Sequence, residues 1–341
     1  MTLDDARGLW QPAHTYLNTA SYGLPPRPAW DAMQQALADW QGGRTSWESW
    51  GETTQVAREA FAQMVGVASE RVAVGATVSE LVGIVAASLD RGRLVCADGD
   101  FTSLVWPWLT NGFDATEVPL AEVADTIDDS TTVVAVSVVQ SSSGALADLD
   151  AIEAAARAHD ALIVLDATQA CGWLPLDASR FDAVACAGYK WLCSPRGTAY
   201  LALGDALLDR VRPLHAGWFA GEEIHSSYYG TPLRLARSAR RLDTSPAWFS
   251  WVAAAPTLEL LNEIGIDAIH RHDVSLANRF RAGLGMPPGD SAIVATDLPG
   301  AEQRLEQAGI RAAVREGSLR ASFHAYTTEA DVDAALDALL S

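Results

Sequence analysis

The run Thr131-Thr-Val-Val-Ala-Val-Ser-Val-Val139 is followed by a helical stretch, Leu149 to Ala158, and then by Ala161-Leu-Ile-Val-Leu165. Apolar, largely β-branched runs of this length are the mark of strands buried on both faces. Two of them joined by a helix read as a parallel βαβ unit. The pattern extends both ways. Upstream, Thr53 to Val65 reads as a helix, Arg71 to Val74 as a strand, Glu80 to Leu89 as a helix and Arg93 to Cys96 as a strand. Downstream, Val184 to Ala187 and Thr198 to Leu203 read as short strands. Repeated strand–helix units predict an α/β architecture, with a mostly parallel sheet covered by helices on both faces. Pro246 to Glu263 reads as a long apolar helix leading out of this unit. Beyond it, helices at Asp267–Leu284 and Gly300–Ala308 alternate with strands at Ser291–Thr296, Arg311–Arg315 and Ser318–Phe323. A last helix runs from Thr328, with a cap-like start at Thr327-Thr-Glu-Ala-Asp331. The expected organisation is a large domain over residues 15–250 and a small α+β domain over 251–341, the latter joined by residues 1–14.

The chain has 341 residues, 49% apolar and 20% charged, enough for about two domains and a self-sufficient core. No window is long and apolar enough to span a bilayer. The start, Met-Thr-Leu-Asp-Asp, is acidic and unlike a secretory signal. Cys96, Cys171, Cys186 and Cys193 form no CxxC pair, which suits a reducing cytoplasm rather than a disulfide framework. A net charge of −19 argues against nucleic acid and anionic membranes as partners. No HExxH occurs, and His270-Arg-His272 reads as solvated rather than as a metal pair, so no metal is expected. GxGxxG, GxxxxGK[ST] and GxSxG are also missing, which removes the simplest nucleotide-binding and hydrolase readings.

One count stands out: 23 arginines against a single lysine, Lys190. On a solvated face the two residues interchange. In chemistry they do not, because only lysine loses its proton readily and forms a Schiff base. Lys190 lies in Phe181-Asp-Ala-Val-Ala-Cys-Ala-Gly-Tyr-Lys-Trp-Leu-Cys-Ser-Pro-Arg-Gly197, among apolar and small residues. Partial burial there lowers an ammonium's pKa and favours the nucleophilic amine.

Other polar groups fall at the carboxyl ends of strands, where open α/β sheets bind ligands. Thr77 and Ser79 follow the strand at Arg71–Val74 and open a helix, a setting that favours phosphate. Asp166 ends the ALIVL strand, with Gln169 three residues on. A phosphate turn, an aspartate at a strand end and a nucleophilic lysine on the next unit together suggest a pyridoxal 5′-phosphate (PLP) site.

On these residues the chain resembles the fold type I PLP enzymes of the aminotransferase class V group, which includes cysteine desulfurases, isopenicillin N epimerase-like proteins and kynureninases. The similarity runs from Tyr16-Leu-Asn-Thr-Ala-Ser-Tyr-Gly23 to Leu319-Arg-Ala-Ser-Phe-His-Ala-Tyr-Thr-Thr-Glu329. It is most specific at Val164-Leu-Asp-Ala-Thr-Gln-Ala170 and Ala187-Gly-Tyr-Lys190. The resemblance implies Lys190 as the Schiff-base lysine and proton shuttle, Asp166 on the pyridine nitrogen and Gln169 near the ring hydroxyl. It implies Ala76, Thr77 and Tyr189 at the phosphate and Phe101 stacked on the cofactor. Ala187 replaces the serine usual three residues before the lysine. Ser245 would reach the neighbouring subunit's phosphate, making a homodimer with shared active sites. Arg320 would clamp the carboxylate of an amino-acid substrate, with Gln140 and Asn18 nearby and Tyr22 and Arg44 at the entrance.

The resemblance leaves three reactions open: transamination through a Lys190 internal aldimine, C–S or C–C lyase chemistry, and epimerisation. Transamination is the leading expectation. An epimerase needs a second acid, for which Tyr22, His14, His215 and Tyr228 are candidates. Cysteine desulfurase activity is expected to be absent, because Gly309 to Arg320 holds no cysteine. A rival of another class is an idle PLP-fold binding subunit, against which Lys190, Asp166 and Arg320 all speak.

Overall fold

The computed structural model describes residues 1–341. In chain order the elements are α1 (Leu3–Arg7), α2 (Arg27–Gln41), α3 (Trp47–Met64), β1 (Val72–Gly75), α4 (Val78–Ala86), β2 (Arg93–Ala97), α5 (Thr102–Thr110), β3 (Asp114–Val118), α6 (Val123–Thr126), β4 (Thr131–Ser137), α7 (Leu149–Ala158), β5 (Leu162–Asp166), β6 (Ala183–Ala187) and β7 (Ala199–Leu203). Then follow α8 (Asp205–Leu208), α9 (Trp248–Ile264), α10 (Ile266–Gly283), β8 (Ile293–Thr296), α11 (Ala301–Gln307), β9 (Ala313–Arg315), β10 (Ser318–Ser322) and α12 (Glu329–Leu340).

Seven strands form one sheet in the order β1-β7-β6-β5-β4-β2-β3. Strands β2 to β6 are mutually parallel, and β7 runs antiparallel to both β6 and β1. β4 shows why the apolar runs sit centrally. Val134 and Val136 join the core on one face, while Val133 and Ala135 join the core on the other. Helices α2, α3 and α9 pack together, with α3 and α9 in the closest association. The remaining strands make a small antiparallel sheet, β8-β10-β9, over a separate core that includes Phe280 and Phe323. Thr328 and Asp331 form the full capping box at the start of α12. No helix is long and apolar enough to cross a membrane.

Three elements are not evident from the sequence pattern. β3 reads Asp-Ala-Thr-Glu-Val, with no apolar run, because it is an edge strand paired only with β2. α5 carries Pro107 inside its nine residues. α2 has Pro28 in its first turn, the one place where a helix accepts proline freely.

One buried ion pair fixes the sheet's outer corner. Arg58 on α3 and Asp243 ahead of α9 are both buried, and Arg58 Nη2 donates to Asp243 Oδ2 at 2.5 Å. Arg58 also donates to the Val72 carbonyl, and Asp243 accepts the Val74 amide at 2.9 Å. Removing one partner strands the other charge. Asp243→Ala is expected to cost about 3–5 kcal/mol, whereas Arg58→Met with Asp243→Leu regains most of it. Urea denaturation of the three proteins checks this, and a near-neutral Asp243→Ala refutes it.

Candidate active site

The carboxyl ends of β4, β5 and β6 open onto one cavity of about 210 Å³. Ala76, Thr77, Phe101, Asp166, Gln169, Tyr189 and Lys190 all line it. Of the other predicted residues, Gln140, Asn18, Ser245 and Arg320 stand outside this lining. Arg320 is nevertheless one contact away. Its Nη1 donates to the carbonyl and the hydroxyl of Ser141, and Ser141 lines the cavity. Gln140 Nε2 donates to the Asp98 carbonyl. Asn18 bridges to Ser322 of the small sheet, with its side-chain oxygen buried and unpartnered. Ser245 is exposed on the loop before α9.

The loop that carries Lys190 is pinned from several sides. The Gly188 amide bonds to the Thr198 carbonyl, and the Ser194 amide returns to the Gly188 carbonyl, both at 2.9 Å. Thr168 Oγ1 accepts the Ala187 amide, locking the end of β6 to the segment after β5. The N-terminal segment crosses tightly over this loop. The Gly23 amide donates to the Tyr189 carbonyl at 3.0 Å. A Cβ at Gly23 would fall 1.9 Å from the Lys190 carbonyl oxygen, so only glycine allows the crossing. Gln169 ties the same three segments together. Its Nε2 donates to the Ala20 carbonyl and Ser141 Oγ, and its Oε1 accepts from Trp191 Nε1 at 2.7 Å.

His324 supports the loop from behind. Its Nε2 faces the Trp191 carbonyl at 2.9 Å and its Nδ1 faces Asp273 Oδ2 at 3.0 Å, all fully buried. Both ring nitrogens meet acceptors, so a proton must lie between imidazole and carboxylate. Burial alone would lower the His324 pKa, but Cys193 and Asp273 outweigh it and raise it to about 10. The other histidines read as solvated are in fact packed. His272 Nε2 bonds to the Thr327 carbonyl, and His270 stacks on Trp173.

The electrostatics of the cavity centre on Lys190 and Asp166, 6% and 5% exposed. They form no direct ion pair, which leaves room between them. Burial lowers the Lys190 pKa, the Asp166 carboxylate partly restores it, and the Arg320 and Arg315 charges lower it again, to about 8. Burial likewise raises Asp166, against its bond from the Thr168 amide. The Lys190 amine stands 5.3 Å from the Phe101 ring centroid and 5.8 Å from that of Tyr189. At the cavity's far end Thr77 caps α4, its Oγ1 accepting the Glu80 amide. Glu80 in turn accepts the Ala76 amide at 2.9 Å and must release it before a phosphate can use it.

These groups fit PLP. The helix start suits the phosphate, the Phe101 ring offers a flat wall, Asp166 offers a carboxylate for a ring nitrogen, and Lys190 offers the amine. Three residues at or beside the site, Thr168, Asp100 and Arg196, carry no signal of their own in the sequence. Thr168 lay inside a quoted motif. Asp100 follows β2, the strand-end position that flags ligand sites. It is largely buried and raised to about 6, chiefly by burial, with Oδ1 unpartnered and Oδ2 accepting the Ser137 amide. Arg196 lines the cavity and lies 4.5 Å over the Tyr189 ring, with its Nη1 on the Tyr22 hydroxyl. Ser141, which directly follows Gln140 at the end of the β4 run, lines the cavity where Gln140 does not. Among the candidate second acids, the Tyr22 ring packs tilted against Tyr189, 5.4 Å between centroids, whereas Tyr228 sits in an aromatic cluster with Trp47, Trp218 and His225.

The sequence model of the family described as Aminotransferase class-V matches residues 15–298. The chain belongs to that family. Its members depend on PLP. This class-V protein is 29% identical to an uncharacterized aminotransferase, YcbU, of Bacillus subtilis, over 95% of this chain and 93% of that one. It is 28% identical to isopenicillin N epimerase of Streptomyces clavuligerus, over 98% and 97%. It is 25% identical to a probable cysteine desulfurase of Methanothermobacter thermautotrophicus, over 79% and 72%. The fold is shared with the Escherichia coli cysteine desulfurase CsdA, at TM-score 0.84 and 21% identity over 99% and 97% of the two chains.

The expectation that desulfurase activity is absent is therefore corrected. Relatives named as probable cysteine desulfurases match most of the chain. The exclusion rested on one missing thiol in Gly309–Arg320. Weakening bonds at the substrate's Cα belongs to the cofactor, and a sulfur acceptor need not sit on one particular loop.

The depressed Lys190 pKa is directly measurable, since the only other amine is the N-terminus. In cofactor-free protein, carbamylation of Lys190 by cyanate should follow a titration with midpoint at about 8 rather than the 10.5 of a free lysine, because the reactive neutral amine accumulates above that pH. Peptide mapping across pH 6–11 reads it out, and a midpoint near 10 would contradict the burial described above.

Proposed function

We propose that this protein acts at the Cα of an α-amino acid as a PLP-dependent aminotransferase, with Lys190 as its proton carrier. The supporting observation is that the chain's only lysine is buried in one cavity with the carboxylate of Asp166. PLP, when bound, takes up the electrons left at the substrate Cα as a bond there breaks. The protein's own groups supply the rest. With a pKa near 8, Lys190 Nζ holds its neutral form close to physiological pH, where general-base catalysis is most effective. It would take the Cα proton and return it. Asp166, raised by burial, favours sharing a proton with a buried ring nitrogen over standing as a bare anion.

Ala76, Thr77 and the first-turn amides of α4 would take the phosphate, with the Tyr189 hydroxyl joining them. Gln169, with its amide fully bonded, holds the segments around the ring in register. Ser245, exposed and outside the lining, would serve the partner's phosphate in a homodimer. Arg320 Nε, buried without a partner, supports the assignment of Arg320 to the substrate carboxylate. Gln140 and Asn18 would stand on the substrate side.

A second reading is epimerisation. It draws on the likeness to isopenicillin N epimerase over nearly the whole chain and on Tyr22, whose ring packs against that of Tyr189 in the cavity lining and could serve as a second acid. C–S or C–C lyase chemistry shares the same proton removal and parts from transamination only afterwards.

The purified protein should be yellow, and borohydride should bleach it and fix the cofactor's mass on the Lys190 peptide. A panel of amino acids then separates the reactions. Pyridoxamine phosphate marks transamination, pyruvate with ammonia marks elimination, and Cα deuterium exchange with loss of chirality marks epimerisation. Lys190→Arg should lose turnover by at least about a thousandfold, the scale of removing a general base together with the cofactor's anchor. Full turnover by that variant, or protein that takes up no PLP, refutes the proposal.

A further inference from the structure

The chain buries two arginines completely. Arg58 is matched by Asp243, but Arg320, 1% exposed, has no carboxylate partner at all. Burying an unpaired cation is costly, so Arg320 is built to receive an anion. A second guanidinium stands beside it. Arg315 Nη2 and Arg320 Nη2 donate to the same hydroxyl, Ser21 Oγ, at 3.0 and 2.8 Å. Arg315 has no carboxylate within ion-pair distance either, and its Nη1 is satisfied by its own chain, at the Val314 carbonyl. The next residue, Tyr22, accepts from Arg196 at 3.3 Å. Ser21 and Tyr22 thus gather three guanidinium groups beside one another, Arg196 in the cavity lining, Arg320 buried just behind it and Arg315 exposed at its outer side, none of them in an ion pair. In a chain of net charge −19, this is a local reversal of sign.

One α-carboxylate needs one bidentate guanidinium. Like charges brought together on one hydroxyl repel, and a second anion relieves that repulsion. We infer that the substrate is an amino acid with a second acid group on a short side chain, of aspartate or glutamate type, whose α-carboxylate meets Arg320 and whose distal acid meets Arg315. The shared Ser21 hydroxyl sets the two guanidinium groups close enough for two acids joined by a short carbon chain. A local cluster of guanidinium groups also concentrates anionic amino acids that the protein's overall charge would otherwise repel. This inference rests on the amino-acid reading above and specifies its substrate class.

The test compares PLP-loaded wild type with Arg315→Gln on L-glutamate and its neutral isostere L-glutamine, and on L-aspartate and L-asparagine. Wild type should favour the acids by about 10- to 100-fold in kcat/KM, the range of one charge-assisted hydrogen-bonded pair. Arg315→Gln should lose at least about tenfold more on the acids than on the amides. A readout without turnover accompanies it. Glutarate should bind the wild type more tightly than butyrate, and Arg315→Gln should remove the difference. Equal use of acids and amides, or an equal loss on both, overturns the inference while leaving the catalytic reading intact. If none of the four reacts while another amino acid of the wider panel does, this inference fails and the catalytic reading stands; if nothing in that panel reacts, both fail.

Discussion

Everything in the site depends on keeping an amine and a carboxylate buried in one cavity without letting them meet. In direct contact Lys190 and Asp166 would neutralise each other, and the lysine pKa would return toward its ordinary value. Held apart, the amine loses more to burial than it gains from the carboxylate. The separation is set by backbone geometry. β5 and β6 run parallel with Asp166 opposite Ala185, and the loop beyond Ala187 then turns Lys190 back over the strand ends. The Thr168–Ala187 bond fixes where that turn begins. The Gly23 crossing and the His324 bond to Trp191 fix where it ends.

The small sheet is therefore part of the site's construction. β10 carries Arg320, and four residues on, His324 grips the backbone next to Lys190. Both lie on one short segment, so the Arg320 guanidinium and the support of the lysine loop are tied to the same piece of backbone. The N-terminal segment completes this link. Tyr16 and Asn18 bridge to Arg311 and Ser322, and the following residues reach Gln169, Tyr189 and Arg320.

What could be read from the sequence follows from what each signal requires. β4 and β5 announce themselves because burial on both faces demands continuous apolar runs. β3 stays silent because an edge strand carries no such demand. Lys190 stands out through rarity, one amine among 24 basic residues. Arg315 and Arg196 are hidden by the same count, since nothing local separates them from the other arginines. Their meaning comes only from Ser21 and Tyr22, nearly three hundred residues from the first and more than a hundred and seventy from the second. Asp100 was within reach of the strand-end rule, yet an aspartate beside Asp98 and Gly99 reads first as a turn. Ser245 stands outside the cavity, exposed on the loop before α9, and its expected role came only from the resemblance.

The spread of activities named among the relatives follows from this division of labour. An aminotransferase, an epimerase and a cysteine desulfurase all need the substrate's Cα activated beside an amine. A floor of Lys190, Asp166 and the start of α4 serves each of them equally. The floor therefore carries the family and says little about the reaction, and a single cysteine on the rim was too slender a basis for excluding one of its chemistries. What distinguishes this chain lies around that floor: Arg196 in the lining, with Ser21, Tyr22 and Arg315 beyond it. That surround is cationic, while the rest of the protein is strongly acidic. Such a contrast costs stability unless an anion answers it, which is the physical ground for the acidic substrate inferred above.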